Sequence, residues 1–273
     1  MAASAGLGTI VGSSIGNVVA TGTFTIPLMK STGFQPHVAA AVETNTSEGA
    51  QLVPPILGAS AFIMAQVTGI SYEIIVLAAI IPAALYYISL YSVVHIEALR
   101  HGIKGLPEDK IPSFKEKFAA GWHLLIAPIV LFCLLLIGSY TVTFASLAAI
   151  FIAVACGLAR KSTKFGFKKL IKFASEGLSQ SAQITALVIS IGLIQASIVA
   201  TGLGPRLTDI ILGLSDGSLL MTAGLTVVAA TVLGMGMPTP ITYLLLAMFA
   251  APALVECGAS VLAAHLFLFY FAI

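Results

Sequence analysis

The chain has 273 residues, of which 58% are hydrophobic and only 9% charged, and its mean hydropathy is +1.04. A soluble domain carries about 25% charged residues, so this composition belongs in lipid, and roughly 20 residues per crossing allow about eight to ten membrane segments. The net charge of +2 is too small to point to a nucleic-acid partner.

The first apolar run, Met1 to about Leu28, is interrupted at Gly12–Asn17 by glycines and small hydroxyl residues. Its halves are too short to cross separately, which predicts a re-entrant hairpin with its tip at this cluster. The second run, His37 to about Gln66, carries Glu43, Asn45, Thr46, Ser47, Glu48 and the Pro54-Pro55 pair. Each proline removes an amide donor and clashes with the preceding turn, so a helix should unwind near Gly49–Pro55. Tyr72 to about Val94 reads as a crossing helix bent at Pro82.

A polar connection, Glu97 to Lys117, holds five Lys/Arg and four acids. Two crossings follow, Trp122–Ile137 and Thr141–Ala159, joined by a turn at Gly138–Tyr140. The next connection, Arg160 to Glu176, holds six Lys/Arg and one acid. Both basic loops therefore face one side, the cytoplasm by the positive-inside rule. Aromatic and lysine residues interleave over 164–173, the pattern of a short amphipathic helix on the inner leaflet. Gln180–Thr201 then crosses, Arg206–Leu214 is too short to span, and Ser218–Leu254 is interrupted at Gly234–Pro240. That interruption predicts a second re-entrant hairpin, entering from outside, before a last segment from Ala259 to Ile273.

Hairpin followed by helix thus occurs twice in opposite orientation, an inverted repeat of the kind secondary transporters use to build a site near the midplane. The expected organisation is a first repeat over 1–95, cytoplasmic loops and a helical pair over 96–177, and a second repeat over 178–273. The second repeat ends before a break matching Pro54-Pro55, so the chain is expected to be cut at both ends.

Cys133, Cys156 and Cys257 are far apart and read as small buried hydrophobes. His265 reads as a helix-to-helix hydrogen-bonding residue. No nucleophile–His–acid set, Walker lysine motif or His/Cys metal cluster occurs, which argues against an enzyme and for transport driven by an ion gradient or a partner's ATPase.

Gly12–Asn17, Thr21–Pro27, the Pro54-Pro55 break and Gly234–Thr239 resemble the large membrane subunit of tripartite ATP-independent periplasmic (TRAP) transporters, the DctM-like component. Ala263–Ala272 is similar to the fused permeases that work with TAXI-type binding proteins. The resemblance implies an all-α integral membrane protein with an inverted-repeat ion-transporter fold, two re-entrant hairpins, a broken helix and an elevator-type movement. It also implies the bacterial or archaeal inner membrane and sodium-driven symport of small organic acids, with no cofactor beyond Na+ as coupling ion. The partners it implies are a periplasmic TAXI-type substrate-binding protein and a small membrane subunit or its fused equivalent, with further crossings expected before Met1.

Sodium needs several oxygen ligands, and unwound backbone with Ser, Thr and Asn side chains provides them at membrane depth. Ser13, Ser14 and Asn17 with Ser47, Glu48 and Gly49 form one expected ion site. Gly234, Gly236, Met237, Thr239 and Thr242 form half of a second. Asn17, Thr21, Pro54 and Pro238 are the substrate-binding candidates. Two positions depart from the family pattern: Glu48 stands where relatives more often carry a small hydroxyl residue, and Ala50 where they carry glycine. Glu43 is read as a carboxylate reaching the interface, either in an ion role or as a cap or partner of Lys30. The alternatives to a sodium symporter are a proton-coupled or other ion-coupled transporter without a binding protein, a passive channel and a non-transporting scaffold.

Overall fold

A computed structural model describes residues 1–54, 56–105, 113–136, 140–159 and 163–273. The described residues are helical with short turns, and no strand occurs among them. They form two compact units. One comprises Met1–Lys30, Gln35–Glu97 and Ile184–Ile273, and the other Ser31–Phe34 and Ala98–Gln183.

In the first unit, α1 (Ala2–Val11) ends at Gly12, whose left-handed backbone (φ 66°) closes the helix with a bond from its amide to the Gly8 carbonyl. Glycine adopts this conformation without the steric penalty other residues meet, and it commonly ends helices. Ser13 then starts α2 (Ser14–Thr32), its hydroxyl accepting the Gly16 amide at 3.3 Å. Pro36 opens α3 (Pro36–Gly49), a position where its missing N–H is harmless.

The helix unwinds after Gly49 into a 3-10 turn, Ala50–Leu52, and Val53 is extended. Pro54 lies in the turn that follows, and Pro55 falls outside the described residues. Leu57, fully buried, has a left-handed backbone (φ 51°) that leads into α4 (Gly58–Thr68). A non-glycine residue held there costs about 1–2 kcal/mol, so the return of the chain is imposed by its surroundings.

Helix α5 (Tyr72–Arg100) is 29 residues long and only 22% buried over its most apolar stretch, with Leu77, Ile81, Leu85 and Ile88 exposed. An apolar helix with an apolar exposed face belongs in a bilayer, and its length of about 43 Å exceeds a hydrocarbon core of about 30 Å. The apolar stretch expected at Tyr72–Val94 thus continues as helix into the first basic connection.

At the other end of the unit, α10 (Leu203–Ser215), α11 (Leu219–Gly234), α12 (Thr239–Glu256) and α13 (Val261–Ala272) pack together, and α12 and α13 also touch α4. Helix α12 is the centre of this group: Tyr243, Leu246 and Ala250 are buried, and Leu268 and Phe269 of α13 close over them. Tyr243 shares a 2.8 Å hydrogen bond with His265 Nδ1, the helix-to-helix role expected for that histidine.

In the second unit, α6 (Phe114–Gly121), a 3-10 turn and α7 (Ile126–Leu136) precede α8 (Val142–Ala159), which packs on α7. Residues 137–139 of the expected tight turn, and 160–162 of the second basic loop, lie outside the described residues.

Two expectations are corrected. The short interfacial helix at 164–173 and the crossing at 180–201 are one helix, α9 (Phe167–Thr201), which runs through both units. No proline separates them, and Lys172 and Glu176 pair one turn apart at 3.7 Å, so the helix continues. Secondly, among the described residues two helices, α5 and α12, are individually long and apolar enough to cross a membrane, or three spans are if the pair bent by 71° around Gly202 is one. The shorter apolar helices α1, α4 and α11 arise because Gly12, the break after α3 and Gly236 divide runs that composition alone counts as continuous.

Gly49 permits one close approach. A Cβ there would strike the ring of Tyr86, whose hydroxyl donates to the Asn45 carbonyl at 2.9 Å. Gly49→Ala is therefore expected to destabilise the protein by about 1–3 kcal/mol through overpacking. Thermal unfolding in detergent should show a lower midpoint that Tyr86→Leu in the same chain partly restores. An unchanged midpoint for Gly49→Ala would refute this contact.

Candidate functional site

The first unit contains a cavity of about 430 Å³ with three walls. Gly12, Ser13, Ser14 and Ile15 come from the turn between α1 and α2. Glu48 and Gln51 come from the break after α3, with Ala59 and Ile63 of α4 behind them. Gly234, Gly236, Met237 and the segment Pro238–Ile241 come from the turn between α11 and α12.

Each wall follows from local chemistry. The first turn lies against the start of α4: a Cβ on Gly58 would come within 3.2 Å of the Gly12 carbonyl oxygen. The second turn depends on Gly236 (φ 89°) and on Pro238, whose extended backbone begins α12. Gln51 joins the break to the second turn, donating through Nε2 to Glu48 Oε2 at 2.8 Å and to Thr239 Oγ1 at 3.2 Å. Thr239 Oγ1 itself lies 3.5 Å from Glu48 Oε2.

Six helix ends therefore meet the cavity: the N-termini of α2, α4 and α12 and the C-terminal ends of α1, α3 and α11. N-terminal amides favour an anion and C-terminal carbonyls a cation. Glu48 is the one charged side chain among the described residues lining the space, and no Lys, Arg or His lines it.

The expected site residues divide between two places. Ser13, Ser14, Glu48, Gly234, Gly236, Met237, Thr239 and Pro238 line the cavity, so residues assigned to two separate ion sites share one wall system. Asn17, Thr21 and Ser47 do not line it. They are buried in a polar cluster between α1, α2 and α3. Gly49 and Pro54 are also off the cavity lining, and Thr242 is buried behind it, 3.5 Å from the Pro238 carbonyl.

At the heart of the polar cluster is Glu43, 1% exposed. Ser4 Oγ donates to its Oε1 at 2.8 Å, and Thr25 Oγ1 to its Oε2 at 2.7 Å. Thr21 Oγ1 also donates to Oε1. Asn17 Nδ2 reaches the Ser4 carbonyl at 3.0 Å and Ser47 Oγ at 2.9 Å. Glu43 does not pair with Lys30 among the described residues; folding back of α1 and α2 encloses it instead.

Sequence reasoning missed Gln51 on the cavity wall, and Ser4, Thr25 and Glu43 as a unit. A signal existed: Asn17, Thr21 and Thr25 recur every four residues along one face of α2, as Glu43 and Ser47 do on α3.

The family model described as the tripartite ATP-independent periplasmic transporter, DctM component, matches residues 1–273. The chain belongs to the DctM family. No curated protein compared with it gives a significant match. As a DctM component it is an integral membrane subunit of a TRAP-type secondary transporter, a transporter family and not an enzyme family. In TRAP transporters the DctM component works with a periplasmic substrate-binding protein and a small membrane subunit.

The two environments in this DctM chain differ in access to water. In a chain with its three cysteines replaced, Ser13→Cys and Ile241→Cys are expected to react with a small, water-soluble thiol reagent. Asn17→Cys and Thr21→Cys should react at least about tenfold more slowly, as buried groups do. Equal rates at positions 13 and 17 would contradict the placement of Asn17.

Proposed function

We propose that this DctM component is the permease subunit of a sodium-coupled, binding-protein-dependent importer of small organic acids, dicarboxylates or amino acids such as glutamate. The observation that carries the reading is the convergence of two helix-interrupting turns and one helix break on a single cavity. A substrate carboxylate takes the amide ends of α2 and α12, and Na+ takes the carbonyl ends of α3 and α11 with the hydroxyls of Ser13, Ser14 and Thr239. The two turns act as re-entrant hairpin tips in the inner membrane of a bacterial or archaeal cell. The domain holding them moves as an elevator, and a TAXI-type binding protein delivers the substrate.

Glu48 favours a second reading of the coupling ion. A carboxylate on the cavity wall also accepts a proton, so proton symport is the alternative within the same architecture.

Uptake of radiolabelled glutamate and succinate by proteoliposomes carrying the complete transporter tests the reading. Uptake is expected only with the binding protein and an inward Na+ gradient; uptake driven by a pH gradient alone supports the proton alternative. Uptake down the substrate's own gradient, without either ion gradient or binding protein, would identify a passive pore and overturn the proposal. Glu48→Gln is expected to shift the half-saturating Na+ concentration or the pH profile by about tenfold, and an unchanged dependence would remove Glu48 from the ion site.

A further inference from the structure

We propose that the Glu43 cluster is itself a site for a monovalent cation, Na+ or a proton, lying behind the cavity wall and distinct from the cavity. Glu43 is enclosed by α1, α2 and α3, and its two carboxylate oxygens receive the hydroxyls of Ser4, Thr21 and Thr25. No positive side chain pairs with it, and the Met1 amino group is the one positive charge that acts on it through space. On α1 the titratable group is the Met1 amino group, on α2 Lys30, on α3 His37 and Glu48, and from α5 Tyr86 and Tyr87 approach. Among the described residues none of these forms a hydrogen bond or an ion pair with Glu43. A carboxylate enclosed at membrane depth without a bonded counter-charge is expensive unless a cation or a proton neutralises it.

A second, independent observation points the same way. Asn17 is fully buried, and its Oδ1 has no hydrogen-bond partner. The Ser4 carbonyl, 3.0 Å from Nδ2, fixes which way the carboxamide faces, because exchanging the two ends would set oxygen against oxygen. An unpartnered acceptor thus sits beside an unpaired carboxylate.

The hydroxyls of Thr21 and Thr25 each have one hydrogen and two acceptors within reach, the Asn17 and Thr21 carbonyls competing with Glu43. The cluster therefore holds more acceptors than hydrogens. Glu43 Oε1, Asn17 Oδ1 and the hydroxyl oxygens of Ser4, Thr21 and Ser47 are the oxygen set that a hard cation takes. Alternatively a proton on Glu43 releases the threonine hydroxyls to the carbonyls.

The cluster borders the cavity through its own residues. Ser47 faces Glu43's side of α3, and its neighbour Glu48 lines the cavity; Asn17 lies one turn after Ser13.

The test uses the full-length transporter purified in detergent, with unfolding temperature measured against NaCl at constant ionic strength (choline chloride as balance) and against pH. Wild type is expected to gain stability as Na+ rises or as pH falls, and Glu43→Gln, already neutral, to lose that response. Ser4→Ala separates the two ions. Loss of an oxygen ligand raises the half-saturating Na+ concentration by about tenfold, whereas loss of a donor to the carboxylate moves the pH midpoint upward. Should Glu43→Gln not be recovered folded, Ser4→Ala and Thr25→Val carry the test alone, since they leave the carboxylate in place. Variants that keep the wild-type responses to both Na+ and pH overturn the site. The readout requires no transport, so it can fail while sodium-driven uptake stands, and it can hold while uptake proves to be driven otherwise.

Discussion

The structure depends on one constraint: wherever a helix stops within apolar sequence, the polar groups it exposes must find partners inside the protein. The end of α3 shows how. Tyr86 and Tyr87 donate to the carbonyls of Asn45 and Thr46, taking up backbone acceptors near the helix end. Gly49 leaves room for the Tyr86 ring, and the following 3-10 turn brings Gln51 round to Glu48. Each of these contacts is local in purpose, yet together they present a carboxylate and an amide to a cavity instead of to lipid.

The same constraint explains why the cavity suits a secondary transporter. Helix ends provide opposite partial charges without fixed side-chain charge, so an anion and a small cation can both be held and both released. A lysine or arginine in the lining would hold a carboxylate more strongly but would resist moving it.

Much of the architecture was legible because glycine and proline act locally. Gly12, Gly236 and Pro238 occupy turns that their backbone preferences dictate, and α3 gives way at Gly49 as the prolines downstream require. What was not legible depended on how elements fold against one another. Asn17 and Ser47 were grouped with Ser13 and Glu48 by sequence proximity, but one turn of helix is enough to face a different interior. Glu43 has three hydroxyl donors from α1 and α2, and the four-residue spacing on α2 and α3 marks polar faces without saying that they meet or that Ser4 of α1 joins them. The continuity of α9 was missed for the opposite reason: a change from basic to apolar composition was read as a boundary where the backbone has none.

The bond from Gln51 to Thr239 spans 188 residues, whereas Ser4 and Glu43 are 39 apart. The two polar centres therefore belong to different stages in the life of the chain. The Glu43 cluster can close once α3 has followed α1 and α2 into the membrane. The cavity has no third wall until the segment ending at Ile241 has been synthesised and inserted. During that interval Glu48 and Gln51 have each other but not Thr239, an incomplete state of the kind in which large proteins are most open to mispairing. A chain built this way completes the polar cluster around Glu43 early and its three-walled cavity late.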